Sequence, residues 1–363
     1  MKKLKYITIL RALAILAVLV VHVRQQSAGI DHLHPFIISI MDNGARGVQL
    51  FYILSAFTLF LSFSYRNNNE NTPIKNYFIR RFFRIAPLYY LAIIYYLWQD
   101  GTGPRYWLGN SPGISLGNII SNFTFTHGFS PYWIASLVPG GWSVAIEVVF
   151  YCMLPLLFRY IKNLQQAVLF TLATLLLRFV LLLIFERYCL ITDRRLWSEY
   201  LFLYLPNQLP VFSLGIILYY LLNDNTGFKI NSKTLLAAFV MLAVGISIQH
   251  DQVLSEIFYF GLTFLLLIIA LQRYQPWLLF NPIFTYIGNI SYTIYLTHWS
   301  VIYFVNKYKI INIYHATNEP SAFLNFILNY TIILSLTIVV STMLYYTVEL
   351  PMQKAGSKLI KTG

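Results

Sequence analysis

The sequence predicts an all-α fold, a polytopic membrane bundle of about ten transmembrane helices with both termini cytoplasmic. Three observations predict it. Hydrophobic residues make up 58% of the 363 residues and charged ones only 11%, against about 25% charged in an ordinary soluble domain. The apolar residues run in stretches long enough to cross a bilayer, which takes about 20 residues. The Lys and Arg residues gather in alternate connections between those stretches, as the positive-inside bias requires.

The first apolar run, 6–24, follows a basic start at Lys2, Lys3 and Lys5 and has the look of a secretory leader. Arg11 interrupts it and no small-residue cleavage site follows, so it reads as an uncleaved first helix. Further spans are expected at 46–64, 84–98, 142–158, 166–185, 200–222, 234–249, 254–271, 283–305 and 323–347. The span 84–98 is short, and 254–271 is barely separated from the span before it. The connection 99–141 is rich in Gly, Pro, Ser, Asn and aromatics and holds only Asp100 and Arg105 as charges. It is too apolar for a disordered linker and reads as a re-entrant or interfacial loop. No repeat or appended soluble segment is visible, so residues 1–363 read as a single transmembrane domain.

Charge fixes the expected orientation. With the N-terminus inside, sixteen cations and three acids fall on the cytoplasmic side, and eight cations and nine acids on the other. That asymmetry fits an even number of spans with both termini inside. The net charge of +13 belongs to this topology and forms no basic stripe, which excludes nucleic acid as a partner. The two cysteines, Cys152 and Cys189, offer neither a disulfide framework nor a metal-ligand spacing, so no metal site is expected. Tyr and Phe, at 28 each, suit bilayer interfaces and the lining of a carbohydrate or acyl site.

An ionisable side chain inside a span is costly unless paired or wetted, and marks function. Arg11 and His22, eleven residues apart, lie about 20° apart around one helix and about 16 Å apart along it. Arg11 sits near the cytoplasmic end of this shared face and His22 deeper. A low cation suits an anionic ligand, and a neutral imidazole above it suits proton transfer. The bland alternative has Arg11 snorkelling to one interface and His22 resting at the other.

Glu147, early in the fourth span, needs a donor; it orients His22, binds a hydroxyl or acts as a base, or else forms a structural pair with Arg178. Ser291, Tyr295 and His298 share one face of a late span, which packs helices together or contributes to a site. Arg81 and Arg84, one turn apart with Arg80 beside them, hold phosphates or merely anchor the cytoplasmic face. His127 falls in the long outer loop, where an exposed histidine is uninformative.

Five blocks in this order give the chain a relative. They are the Arg11-x10-His22 spacing, GARGVQLFYILSAF (Gly44–Phe57), RRFFRIAPLYY (Arg80–Tyr90), GGWSVAIEVVFY (Gly141–Tyr151) and IGNISYTIYLTH (Ile287–His298). Together they resemble the acyltransferase-3 family of integral membrane acyltransferases, typified by O-antigen acetylases, over nearly the whole chain. One departure is Ser55-Ala56-Phe57, where the family carries glycine in the middle; the added methyl falls at a close-packing site.

The resemblance implies an acyltransferase of the cell membrane that moves an acyl group, acetyl above all, from cytoplasmic acyl-CoA to a carbohydrate hydroxyl. It implies acyl-CoA as co-substrate and no permanently bound cofactor, with a carbohydrate acceptor and membrane lipids as partners. His22 and Glu147 are then the catalytic candidates, and Arg11, Arg81 and Arg84 the acyl-CoA-binding ones. Ser55, Trp142, Ser143, Tyr295 and His298 remain candidates for substrate or oxyanion contacts. Two routes stay open, direct transfer with His22 as base and an acyl-histidine relay. A transporter or flippase of a sugar-containing or lipid-linked substrate is the competing class, although no paired broken helices appear in the two halves.

Overall fold

The computed structural model describes residues 4–223 and 255–360, with isolated positions between 232 and 243. Among the described residues the regular elements are helices. In chain order they are α1 (Lys5–Gln26), α2 (Pro35–Asp42), α3 (Gly47–Asn67), α4 (Pro73–Asp100), α5 (Leu116–Phe123), α6 (Gly141–Tyr160) and α7 (Leu164–Arg187). There follow α8 (Arg194–Leu203), α9 (Leu205–Asn223), α10 (Glu256–Arg273), α11 (Pro282–Asn289), α12 (Ser291–Lys307), α13 (Glu319–Leu344) and α14 (Leu350–Lys358).

Seven helical runs among the described residues are long and apolar enough to cross a membrane: Lys5–Gln26, Pro35–Asn67, Gly141–Tyr160, Leu164–Arg187, Arg194–Asn223, Glu256–Arg273 and Glu319–Lys358. Three expected spans are not among them. Residues 84–98 belong to α4, a longer helix of 28 residues whose arginine-rich first half lowers its hydropathy. The stretch 283–305 is two helices, α11 and α12, parted at Ile290. The span expected at 234–249 lies outside the described residues.

Contacts divide the chain into two compact units, residues 1–54 with 226–346, and residues 55–225 with 347–363. In the first unit α1 is the central element, packed against α11, α12, α13 and the 3-10 turn Asn43–Arg46. Its buried residues fall on all sides, as expected of a helix walled in by others. Glycines permit the closest approaches. A Cβ on Gly44 or Gly47 would lie 2.2 or 2.3 Å from the carbonyl oxygens of Ala17 and Ala14, and one on Gly288 only 1.9 Å from that of Thr8. Three glycines thus bring their backbones directly against that of α1, the close packing that small residues allow in membranes.

The second unit pairs α7 with α9 and α4 with α14. Gly356 of α14 lets the α4 side chain of Phe83 come within 2.6 Å of where a Cβ would be. The 99–141 connection packs in this unit as short helical turns. Its Arg105 guanidinium donates to the carbonyls of Ser136 (2.9 Å), Leu137 (3.1 Å) and Gly101 (2.8 Å), which ties the two ends of the loop together.

Candidate active site

In the first unit, α1 runs unbroken from Lys5 to Gln26, so Arg11 and His22 keep the shared face that their spacing predicts. His22 Nδ1 lies 3.3 Å from Gln25 Oε1. An amide oxygen only accepts, so Nδ1 carries the proton and Nε2 is left as a lone pair. That is the form a base needs.

The same unit brings His298 to His22. The two rings stack with centroids 5.3 Å apart and 23° between planes. His298 is fully buried, and its Nδ1 lies 3.2 Å from the Ile294 carbonyl, which again assigns the proton to Nδ1. Its Nε2 is a buried acceptor with no partner among the described residues. Tyr295 flanks His298 at 5.9 Å, and Ser291 is buried on the same helix, so the late polar stripe faces inward. Sequence reasoning missed Trp299, whose ring centroid is 4.3 Å from that of His22. Its one signal was an indole directly after an intramembrane histidine.

The second unit gathers another set. Ser55 donates to Glu147 Oε1 at 2.5 Å, and Tyr151, one turn along α6, interacts with the same carboxylate. Arg178 instead donates to Asn207 Oδ1 at 2.7 Å; the structural Glu147–Arg178 pair is replaced by a carboxylate held by a hydroxyl. The Arg81 guanidinium lies over the Tyr151 ring at 5.9 Å, and the Tyr77 hydroxyl donates to the Tyr151 carbonyl at 3.2 Å.

The three neighbouring arginines separate by role. Arg80 is spent on Glu70 at 2.8 Å. Burial alone would raise the Glu70 pKa, but hydrogen bonds from Arg80 and Asn76 and the charges of Arg80 and Arg66 hold it below its ordinary value. Arg81 and Arg84, both half-buried, form no ion pair among the described residues, and Arg81 Nε is buried without a hydrogen-bond partner. Uncompensated guanidinium is what an incoming anion requires. Of the oxyanion candidates, Ser143 donates to Gly140 O at 2.9 Å and Ser55 to Glu147, so neither hydroxyl proton is idle. Trp142 is half-buried at the start of α6.

His127 departs from expectation: it is buried, not exposed. Its Nε2 is 3.1 Å from the Tyr89 hydroxyl and 3.2 Å from the Gly141 carbonyl, and its Nδ1 is 3.4 Å from Ser121 O. Tyr89 in turn donates to Asn122 Oδ1 at 3.1 Å. Burial pushes the His127 pKa down to about 4, the two carbonyls only partly opposing it. The loop closes on this network because its polar side chains satisfy one another, Asn118 donating to Ser136 at 2.8 Å. Gly141, whose Cβ would meet the Tyr89 hydroxyl at 2.6 Å, has room only as glycine. The network therefore pins the start of the helix that carries Glu147.

A family model described as an acyltransferase domain, that of the acyltransferase-3 family, matches residues 4–346. The chain belongs to this family. A Staphylococcus aureus (strain COL) protein bearing the provisional name O-acetyltransferase is 24% identical, the alignment covering 99% of this chain and 59% of that protein. The chain thus spans about three fifths of the length of that relative. A provisionally named acetyltransferase of Acidianus two-tailed virus is 24% identical over 72% of this chain and 74% of its own. The peptidoglycan O-acetyltransferase OatA of Listeria monocytogenes is 27% identical over 42% of this chain and 24% of its own. No solved structure matches.

Proposed function

We propose that the protein is a membrane O-acyltransferase that moves an acyl group, acetyl first among candidates, from cytoplasmic acyl-CoA to a hydroxyl of a cell-surface or exported carbohydrate. The observation that carries the reading is the His22 imidazole, half-buried in α1 with Nδ1 protonated toward Gln25 and Nε2 open. Family membership supports acyl transfer, and the names of the staphylococcal and listerial relatives support an O-acetyl product and a glycan acceptor.

In the favoured direct route, His22 Nε2 takes the proton of the acceptor hydroxyl as its oxygen attacks the thioester carbonyl. The C–S bond then breaks, and His22 returns the proton to the departing sulfur. Arg11, on the His22 helix, is assigned to acyl-CoA binding, and so, within the second unit, are Arg81 and Arg84, which form no ion pair among the described residues. Glu147, held by Ser55, is kept as a catalytic candidate of the second unit; the His22 Nδ1 is engaged by Gln25. Tyr295 and Trp142 are assigned to substrate contacts, and His298, fully buried, to the support of the His22 ring. The acyl-histidine relay uses the same Nε2 as nucleophile.

The orientation, with both termini cytoplasmic in the cell membrane and about ten crossings, is part of this reading. One contact agrees with two of its outer segments sharing a side. Two segments that the charge asymmetry assigns to the outer side meet through Tyr106, whose hydroxyl donates to Glu199 at 2.8 Å and whose ring lies 5.5 Å from the Arg195 guanidinium.

The test is the purified protein in vesicles with labelled acetyl-CoA and a muropeptide or oligosaccharide acceptor. Transfer of label, abolished in His22→Ala while that variant stays folded, is the expected result. Near-normal transfer by His22→Ala refutes both routes, and an absence of any acyl-CoA turnover by the wild type favours the transporter class. Label trapped on the wild-type protein and lost in His22→Ala selects the relay.

A further inference from the structure

We propose that Trp299 and His298 form an aromatic seat that stabilises the positive charge His22 acquires during acyl transfer, Trp299 being a positioning residue of the reaction. The inference rests on His22 acting as base or nucleophile, as proposed above.

The geometry is that of consecutive α12 residues converging on one imidazole. The Trp299 ring centroid is 4.3 Å from that of His22, the planes tilted by 48°, and His298 stacks on it at 5.3 Å. Indole is the strongest of the side-chain partners for a cation and acts within about 6 Å of the ring centroid, more so where water is excluded. No other described group of this unit takes the role. Gln25 holds Nδ1, Arg24 is already paired with Asp42 at 2.5 Å, and the Tyr330 hydroxyl of α13 donates to the Leu16 carbonyl. Among the described residues of this unit, no carboxylate pairs with His22. The orienting acid that a catalytic histidine often carries is absent there, and the rings of Trp299 and His298 lie beside the imidazole instead.

The charge balance explains why such a seat accelerates the reaction rather than merely tightening binding. In direct transfer the hydroxyl oxygen bonds to the carbonyl carbon, the hydroxyl proton moves to His22 Nε2, and the C–S bond breaks. The sulfur then takes the proton from His22, which ends neutral. In the relay, Nε2 bonds to the carbonyl carbon as the C–S bond breaks and CoA departs as the thiolate, leaving an acyl-imidazolium. The hydroxyl oxygen then attacks that carbonyl, the N–C bond breaks, the ring ends neutral and the hydroxyl proton neutralises the thiolate. By either route His22 is positive only during the chemistry. A contact that prefers its cation over its neutral form therefore acts on the transition state.

His298 serves as the ring that stays neutral. Its proton lies on Nδ1 toward Ile294 O, and a second imidazolium at this separation, shut from water, would repel the first. Its buried Nε2 carries no proton, so the ring that stacks on His22 is uncharged.

The experiment is a fluorination series. All seven tryptophans are replaced biosynthetically by 5-fluoro- and then 5,7-difluorotryptophan, in the wild type and in Trp299→Phe, and kcat is measured with acetyl-CoA. Fluorine withdraws density from the indole face with little change of shape. The expected result is a stepwise fall of kcat in the wild type that vanishes in Trp299→Phe, with KM for acetyl-CoA steady. Trp299→Leu is expected to lower kcat about thirtyfold, and Trp299→Phe less. Equal sensitivity to fluorine in both proteins, or none in either, overturns the seat. Because the fluorinated wild type keeps its side-chain shapes, the comparison still decides the matter if Trp299→Leu misfolds. A wild type that transfers no acyl group refutes the function beneath the inference, and is distinct from a transfer that ignores fluorine.

Discussion

Lowering the pH should loosen the 99–141 loop through one residue, His127. With its pKa pushed down to about 4 inside the folded loop and near 6.5 once exposed to water, the open loop binds the proton more tightly. Its neutral, buried state therefore contributes full stability above about pH 6.5, and this is lost as the pH falls toward 4. The shift corresponds to about 3 kcal/mol in all, of which about 2 kcal/mol is lost between pH 7 and pH 5. Amide hydrogen exchange over residues 121–129, corrected for the intrinsic effect of pH, reads this directly. The protection of those amides should drop about twentyfold at pH 5, while α1 amides keep theirs. His127→Gln removes the titration and should cancel the difference between the two pH values. Equal wild-type protection at both pH values, or the same drop in His127→Gln, refutes the linkage.

Two further predictions concern the helix that carries His22 and the cations assigned to acyl-CoA. Gly47→Ala and Gly288→Ala each drive a methyl into a backbone carbonyl of α1. Each should lower thermal stability by about 1–3 kcal/mol, whereas Gly117→Ala, whose Cβ would first meet Trp133 at 3.4 Å, should be tolerated in the same melting assay. Arg81→Lys or Arg84→Lys should raise KM for acetyl-CoA about tenfold with kcat little changed. Arg80→Lys, whose guanidinium is already held by Glu70, should leave KM alone; a rise equal to the other two would refute the division of labour among the three.

How much of this was legible in the sequence depends on whether the signal was local. The shared face of Arg11 and His22 follows from helical periodicity alone, and an unbroken α1 is all it needs. The pairing of His22 with His298 and Trp299 joins segments some 275 residues apart by number, and no local pattern encodes it. The burial of His127 was hidden for a different reason. Gly, Ser and Asn read as surface, yet here Asn118, Asn122, Ser136 and Tyr89 bond to one another, so the loop buries polar groups at no great cost. In α4 the arginines at 80, 81 and 84 depress the hydropathy and shorten the expected span, although the helix runs straight through them. At 283–305 the break at Ile290 follows Gly288, whose reason for being glycine is the Thr8 carbonyl of α1, a neighbour the local sequence does not reveal.

These separate observations meet on one physical requirement. A base that must be neutral at rest and charged in mid-reaction needs surroundings that tolerate both states without rearranging. A carboxylate beside His22 would favour the cation at rest and would spend its stabilisation before substrate arrived. Aromatic faces favour the cation more gently, and their quadrupoles need no reorientation when the charge appears. That advantage exists only if the rings cannot drift, because the interaction weakens quickly beyond the contact distance. The glycines that set α1 directly against the 3-10 turn and α11, together with the Nδ1 bonds that fix both imidazole tautomers, supply that rigidity. The glycine variants should therefore cost more in kcat than their loss of stability at the assay temperature accounts for, since displacing α1 by a fraction of an ångström moves His22 off its seat before it unfolds anything.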